Sequence, residues 1–138
     1  MDTKIRIYKD THIYILAPAL FKTGGTELLH QYCAVLKKHG FNADMVYFDN
    51  HVDEYVVNPA FRKYVTTFLS LEEVEDDEKN IFIVPETETK FFAKYSKIRK
   101  IIWWESVDNY FASTYARYFL KSRDLKFKDK LSNALLRY

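Results

Sequence analysis

Residues 12–40 constrain the fold more than any other stretch. His12 to Ala17 reads HIYILA, a short apolar run. Pro18 interrupts it, Gly24 and Gly25 follow, and a helical pattern then runs to Gly40. Strand, glycine loop and helix in this order form the opening unit of a nucleotide-handling α/β domain. Ile13 to Leu16 are continuously apolar, as in a strand buried on both faces of a parallel sheet. Gly24 and Gly25 let a ligand approach the backbone, and the first N–H groups of the helix, with its dipole, favour an anion. A tight turn that binds nothing is the alternative, because short glycine motifs are frequent by chance.

The helix spans about Gly25 to His39, with Leu29, Tyr32, Cys33 and Leu36 on one stripe and Leu28 and Val35 beside it. Lys37, Lys38 and His39 suit its carboxyl end, and Gly40 supplies a left-handed cap. Phe41 to Phe48 reads as the second strand of a βαβ unit, which makes the sheet parallel. Asn58-Pro59 opens a turn and short helix through Lys63, and Tyr64 to Leu69 is β-prone. Glu72 to Lys79 is acidic and reads as a solvated loop. Ile81 to Val84 forms a buried strand ended by Pro85. Thr87 to Ser96 is expected as a helix with Phe91, Phe92 and Tyr95 inward, and Lys100 to Trp104 as the next strand. Ser106 to Tyr110 reads as a loop, and Ala112 to Ser122 as a helix with Tyr115, Tyr118 and Phe119 inward. Residues 124–138 form an amphipathic tail helix, and Ile5, Ile7 and Tyr8 alternate as an edge strand. The fold class is α/β: a Rossmann-like three-layer sandwich with a mainly parallel sheet, in one domain over residues 1–138.

A chain of 138 residues is long enough for one sizeable core. Its single cysteine, Cys33, excludes an internal disulfide and fits a reducing, cytoplasmic setting. Cys33 lies on the apolar stripe, where packing outweighs nucleophilic chemistry. The four histidines show no ligand spacing, so no metal is expected. No serine elbow, phosphate-binding loop of the Gly-x4-Gly-Lys-Ser/Thr type or nucleic-acid reader motif is present. No nucleic-acid partner is therefore expected. Charge is uneven: residues 1–89 carry a net −6 and residues 90–138 a net +8. The basic part suits an anionic partner such as a membrane surface, or is a solvated face. A tail helix packed on a second domain is an alternative use of its apolar stripe.

In an open parallel sheet, ligands bind beyond the carboxyl ends of the strands. Three loops should meet there, bringing Lys22, Thr23, Gly24, Gly25 and Glu27 from the first, Glu86 from the second, and Glu105, Asp108 and Asn109 from the third. Each has a structural alternative. Glu27 suits a first helical turn, Glu86 could merely end a strand, and Asp108 or Asn109 could cap the next helix.

Thr23 to Glu27 (TGGTE), Val84 to Glu86 (VPE) and Ile101 to Asn109 (IIWWESVDN), in that order, resemble the amino-terminal domain of GT-B glycosyltransferases. The likeness is particularly to family-4-like bacterial enzymes of surface polysaccharide synthesis. The resemblance implies an acceptor-side Rossmann-like half of a transferase that moves a sugar from a nucleotide-sugar donor to a saccharide or lipid-linked acceptor. It implies donor diphosphate binding by Thr23, Gly24 and Gly25, with Lys22, Glu27, Glu86 and Asn109 lining the cleft. The nucleotide-sugar is a substrate, and no cofactor is implied. Many members carry a His after the strand matching Lys100 to Trp104. Here Glu105 stands at that place with Asp108 nearby, and these two are the candidate catalytic groups. The family's Glu-x7-Glu motif belongs to the second domain, so Glu78 and Glu86 match its spacing by chance. The expectation is a fragment or a split transferase, inactive until a donor-side domain or partner chain completes it. It would be cytoplasmic, with peripheral contact to the membrane as an option. The competing class is a non-catalytic anchoring or partner subunit. A receiver-like domain fits less well, because the first strand ends without an acidic cluster.

Overall fold

In the computed structural model, residues 4–48, 57–65 and 67–121 are described, with side chains through Ala116. Two compact units divide the chain, Met1–Trp103 and Trp104–Tyr138. The first holds a five-stranded sheet built from β1 (His12–Ala17), β2 (Asn42–Tyr47), β3 (Phe68–Ser70), β4 (Ile81–Pro85) and β5 (Arg99–Trp103). The strand order is β3-β2-β1-β4-β5, and every pairing is parallel. Ile15 of the central strand β1 lies between Met45 of β2 and Ile83 of β4. That central position explains the unbroken apolar run: Ile13 to Ala17 face packed layers on both sides of the sheet.

One layer is α1 (Gly24–Lys38). Its Leu29, Cys33 and Leu36 pack on Ile13, Ile15, Ala43 and Met45. Thr26 and His30 complete the buried stripe at helical spacing, whereas Leu28 and Val35 are exposed. His39 caps the carboxyl end and Gly40, at φ +83°, takes the left-handed turn that follows. On the opposite face Tyr14, Leu16, Val46, Phe82 and Val84 pack with Leu71, Val74, Tyr95 and Ile98. The result is an α/β, Rossmann-like three-layer sandwich.

Several local expectations are corrected. Residues 4–8 form no edge strand. They are exposed, and the segment is tied by hydrogen bonds outside the sheet: Arg99 donates to the Arg6 carbonyl, and the Tyr8 N–H to Thr11 Oγ1 at 2.9 Å. Residues 86–94 are 3-10 helix with a break at Glu88 (φ −117°, ψ 16°), not an α-helix. Tertiary packing overrides the helical pattern here. Phe91 packs tilted against Phe48, Phe92 meets Phe82 edge-on, and Tyr95 donates its hydroxyl to the Leu71 carbonyl at 2.9 Å. The β-prone stretch at 64–69 yields only the three-residue β3, and Pro59–Phe61 is a 3-10 turn.

The acidic loop is more than solvated. The Asp76 carboxylate accepts the backbone N–H groups of Ser96, Lys97 and Ile98, each at 2.8 Å, and so fastens the loop to the start of β5. β5 ends at Trp103, which packs against Tyr32, and Trp104 belongs to the second unit. Within that unit α2 (Val107–Lys121) begins five residues before the expected Ala112. Tyr115 on it is exposed rather than inward. The side chains of Tyr118 and Phe119, and the tail helix at 124–138, lie outside the described residues.

Candidate functional site

The chain runs from β1 to β2 and β3 on one side, then crosses to β4 and β5 on the other. The topological switch point therefore lies between the carboxyl ends of β1 and β4, where open α/β sheets leave a crevice. Two segments arrive there from sequence: residues 18–23 after β1, and Glu86 after β4.

After β1 the backbone turns sharply. The Phe21 N–H donates to the Ala19 carbonyl at 2.7 Å, and Leu20 between them adopts φ +59°. A non-glycine residue seldom occupies this region, and such strain persists only when the surroundings hold it. The Asn58 side-chain amide supplies one such hold by donating to the Leu20 carbonyl at 2.8 Å. The turn leaves Leu20 55% and Phe21 63% exposed.

Thr23 then caps α1. Its Oγ1 accepts the Thr26 N–H at 3.2 Å, and Thr26 Oγ1 accepts the Thr23 N–H at 2.9 Å. Threonine thus fills the third position of a reciprocal capping box, where glutamate or glutamine is usual. The Glu27 N–H reaches the Thr23 carbonyl at 3.0 Å. Gly24 and Gly25 are the first two helical residues, and their N–H groups have no acceptor among the described residues. A Cβ built on Gly24 meets nothing within 4 Å. Lys22 beside them is exposed.

The structure thus brings Lys22, Thr23, Gly24 and Gly25 together at one open helix start. Glu27 follows in the same turn, but its carboxylate accepts from the Tyr64 hydroxyl at 3.0 Å and lies 4.0 Å from the Lys63 ammonium. It ties the Pro59–Phe61 turn region to α1. Glu86 directly follows β4 and is only 1% exposed. Among the described residues no group of His, Cys, Asp and Glu is arranged to hold a metal ion. No family model, curated protein or solved structure matches this chain. What the site does must be argued from its geometry.

Glu105, Asp108 and Asn109 fall in the second unit. All three are exposed, and Asp108 and Asn109 stand in the first turn of α2. Ser106 caps that helix: its Oγ accepts the Asn109 N–H at 3.2 Å and its carbonyl accepts the Tyr110 N–H at 3.2 Å. The cap expected of Asp108 or Asn109 thus falls to Ser106, because the helix starts earlier.

Sequence reasoning missed one buried polar pair beneath the site. His30 is 1% exposed, with Nδ1 2.5 Å from the Thr26 carbonyl and Nε2 2.7 Å from the Tyr47 hydroxyl. A carbonyl can only accept, so Nδ1 carries the proton, and Nε2 accepts from Tyr47. Phe61 packs on the ring at 4.5 Å between centroids. Burial pushes the imidazole below its ordinary range and the Tyr47 phenol well above its own. The available sequence signal was position: His30 sits four residues after Thr26 and three before Cys33 on the apolar stripe. The Cys33 thiol is buried and pushed up to about 11, chiefly by desolvation, as fits a packed side chain.

Proposed function

We propose that this chain is the acceptor-side domain of a glycosyltransferase that moves a sugar from a nucleotide-sugar donor to a saccharide or lipid-linked acceptor. The observation that carries the reading is the open start of α1 at the switch point of a parallel sheet. Two N–H groups without an acceptor among the described residues, and the positive end of a 15-residue helix, stand where such folds receive phosphorylated ligands. Charge accumulates on the diphosphate as the sugar leaves. Fixed N–H donors aimed at it, aided by Lys22, stabilise that charge without reorganising. Glu105 is the candidate group for the acceptor hydroxyl, with Asp108 as the alternative. The reading requires a donor-side domain, from further chain or a partner subunit, and little turnover by residues 1–138 alone. It places the enzyme in the cytoplasm.

Gly24→Ala separates ligand approach from folding. The added methyl group meets no protein atom, and Gly24 has no positive φ. The variant should unfold at or slightly above the wild-type temperature, because alanine restricts the unfolded chain. Donor binding, followed by calorimetry with a panel of nucleotide sugars and the completed enzyme, should weaken about tenfold or more, equivalent to ~1.4 kcal/mol. Unchanged donor affinity in Gly24→Ala would remove the helix start from the site.

A second reading, a non-catalytic subunit that anchors a catalytic chain at the membrane, rests on the second unit. Trp104, Val107, Phe111 and Tyr115 each expose at least half of their surface there. Among the described residues no helix is long and apolar enough to cross a membrane, so such contact would be peripheral. No sugar transfer by either form of the enzyme, together with co-flotation of the chain with anionic liposomes, would favour this reading.

A further inference from the structure

The amino end of the edge strand β5 carries a groove that the proposed activity does not use. It lies between residues 4–8 and the amino end of β5, with a volume of about 470 Å³. Small-molecule sites commonly span ~300–1,000 Å³. Four of its lining residues are cationic, namely Lys4, Arg6, Arg99 and Lys100, and none is acidic. Ile5, Tyr8 and Ile101 supply the rest of the wall.

Among the described residues, Arg99 and Lys100 are held by carbonyls, not by carboxylates. Arg99 donates to the carbonyls of Arg6 and Lys79 and contacts Thr11 Oγ1 at 3.4 Å, with its guanidinium 5.4 Å from the Tyr8 ring centre. Lys100 Nζ donates to the Tyr95 carbonyl at 2.7 Å. Neutral carbonyls orient these groups but leave their charge in place. Lys100 alternates with Arg99 along β5, so its side chain leaves the opposite face of the strand. The Arg6 guanidinium has no acceptor among the described residues. Arg99 Nε is buried and has no hydrogen-bond partner among the described residues. A buried donor left unsatisfied is uncommon and marks a place for a missing acceptor.

The geometry points to a binding site for an amphiphilic anion, an oxyanion head on a compact apolar body. The head would be a phosphate or carboxylate held by Arg6 and Arg99, and the body would lie against Ile5, Tyr8 and Ile101. Arg99 begins β5, whereas the start of α1 follows the carboxyl end of β1. The two sites are therefore at opposite ends of the parallel strands, and the failure of one leaves the other standing.

Amide chemical shifts of the intact chain, followed during separate titrations, test the assignment. The probes are phenyl phosphate, benzoate, inorganic phosphate and phenol. Phenyl phosphate or benzoate should give saturable shifts at Arg6, Tyr8, Lys100 and Ile101, and the tighter of the two identifies the head. Phosphate alone and phenol alone should each bind about tenfold more weakly or worse, ~1.4 kcal/mol in each case. Arg6→Glu should abolish the shifts. Arg6→Gln, which removes a guanidinium without an acceptor among the described residues, should weaken binding while leaving the rest of the spectrum unchanged. The proposal is overturned by no saturable shift at millimolar probe, by shifts centred on Thr23 to Thr26 instead, or by undiminished binding in both variants. Equal affinity for inorganic phosphate would also overturn it, since that marks an adventitious ion only.

Discussion

At the scale of single residues, two side chains hold conformations that local preference would not choose. Leu20 sits at φ +59°. A β-branched side chain there meets the following carbonyl, so Leu20→Val should lower stability by ~1–2 kcal/mol. Leu20→Gly should be nearly neutral, since relief of strain is offset by ~0.4–1 kcal/mol of extra freedom in the unfolded chain. Urea midpoints of the two variants decide the matter; equal losses would mean that the Leu20 side chain, not its backbone, is what counts. His30 is the second case. Its folded-state pKa is depressed from 6.5, so the unfolded chain binds the proton more readily. Stability should be fully present above pH 6.5 and fall as the pH drops below it toward the depressed folded value. His30→Gln should remove that part of the slope in denaturant midpoints taken across the interval. Tyr47→Phe, which leaves Nε2 without its donor, should cost ~1–3 kcal/mol at neutral pH.

At the scale of elements, short polar contacts decide where segments begin. Asp76 receives the N–H groups of Ser96, Lys97 and Ile98 and the Ser96 hydroxyl. The Ser96 N–H, then that of Ile98, holds its carboxyl well below the ordinary 3.8. A depressed carboxylate contributes stability above its unfolded pKa and loses it as the pH falls below 3.8. Asp76→Asn should therefore lower the melting temperature at pH 7, and the gap from wild type should narrow below pH 3.8. A pH-independent gap would assign the effect to shape instead of charge. The strand, glycine turn and helix at residues 12–40 were legible because each is specified by neighbours in sequence: an apolar run, a threonine cap and Gly40. The 3-10 segment at 86–94 was not, because its shape follows from Phe48, Phe82 and Leu71, which are distant in sequence. The early start of α2 hinged on Ser106, a residue whose capping geometry its neighbours only permit.

At the scale of the molecule, the described members of both buried clusters lie within residues 13–98, and Trp103 is the last described residue packed against them. A chain ending at Trp103 should therefore unfold in one cooperative transition, with near-native far-ultraviolet dichroism per residue of sheet. A broad, non-cooperative melt would show that the first unit depends on the rest of the chain.

The sequence by itself determined the fold class, the parallel pairing and the open helix start, because runs of apolar residues, caps and glycines act through adjacent residues. Only the tertiary structure decided the strand order, and with it the switch point between β1 and β4. It also decided which carboxylates are committed: Glu27 to Tyr64, Asp76 to the entrance of β5, Glu86 to burial. Those outcomes turn on contacts between residues far apart in the chain. Such contacts are chosen by what packs and what must be hydrogen-bonded once water is excluded, and no local pattern records that choice.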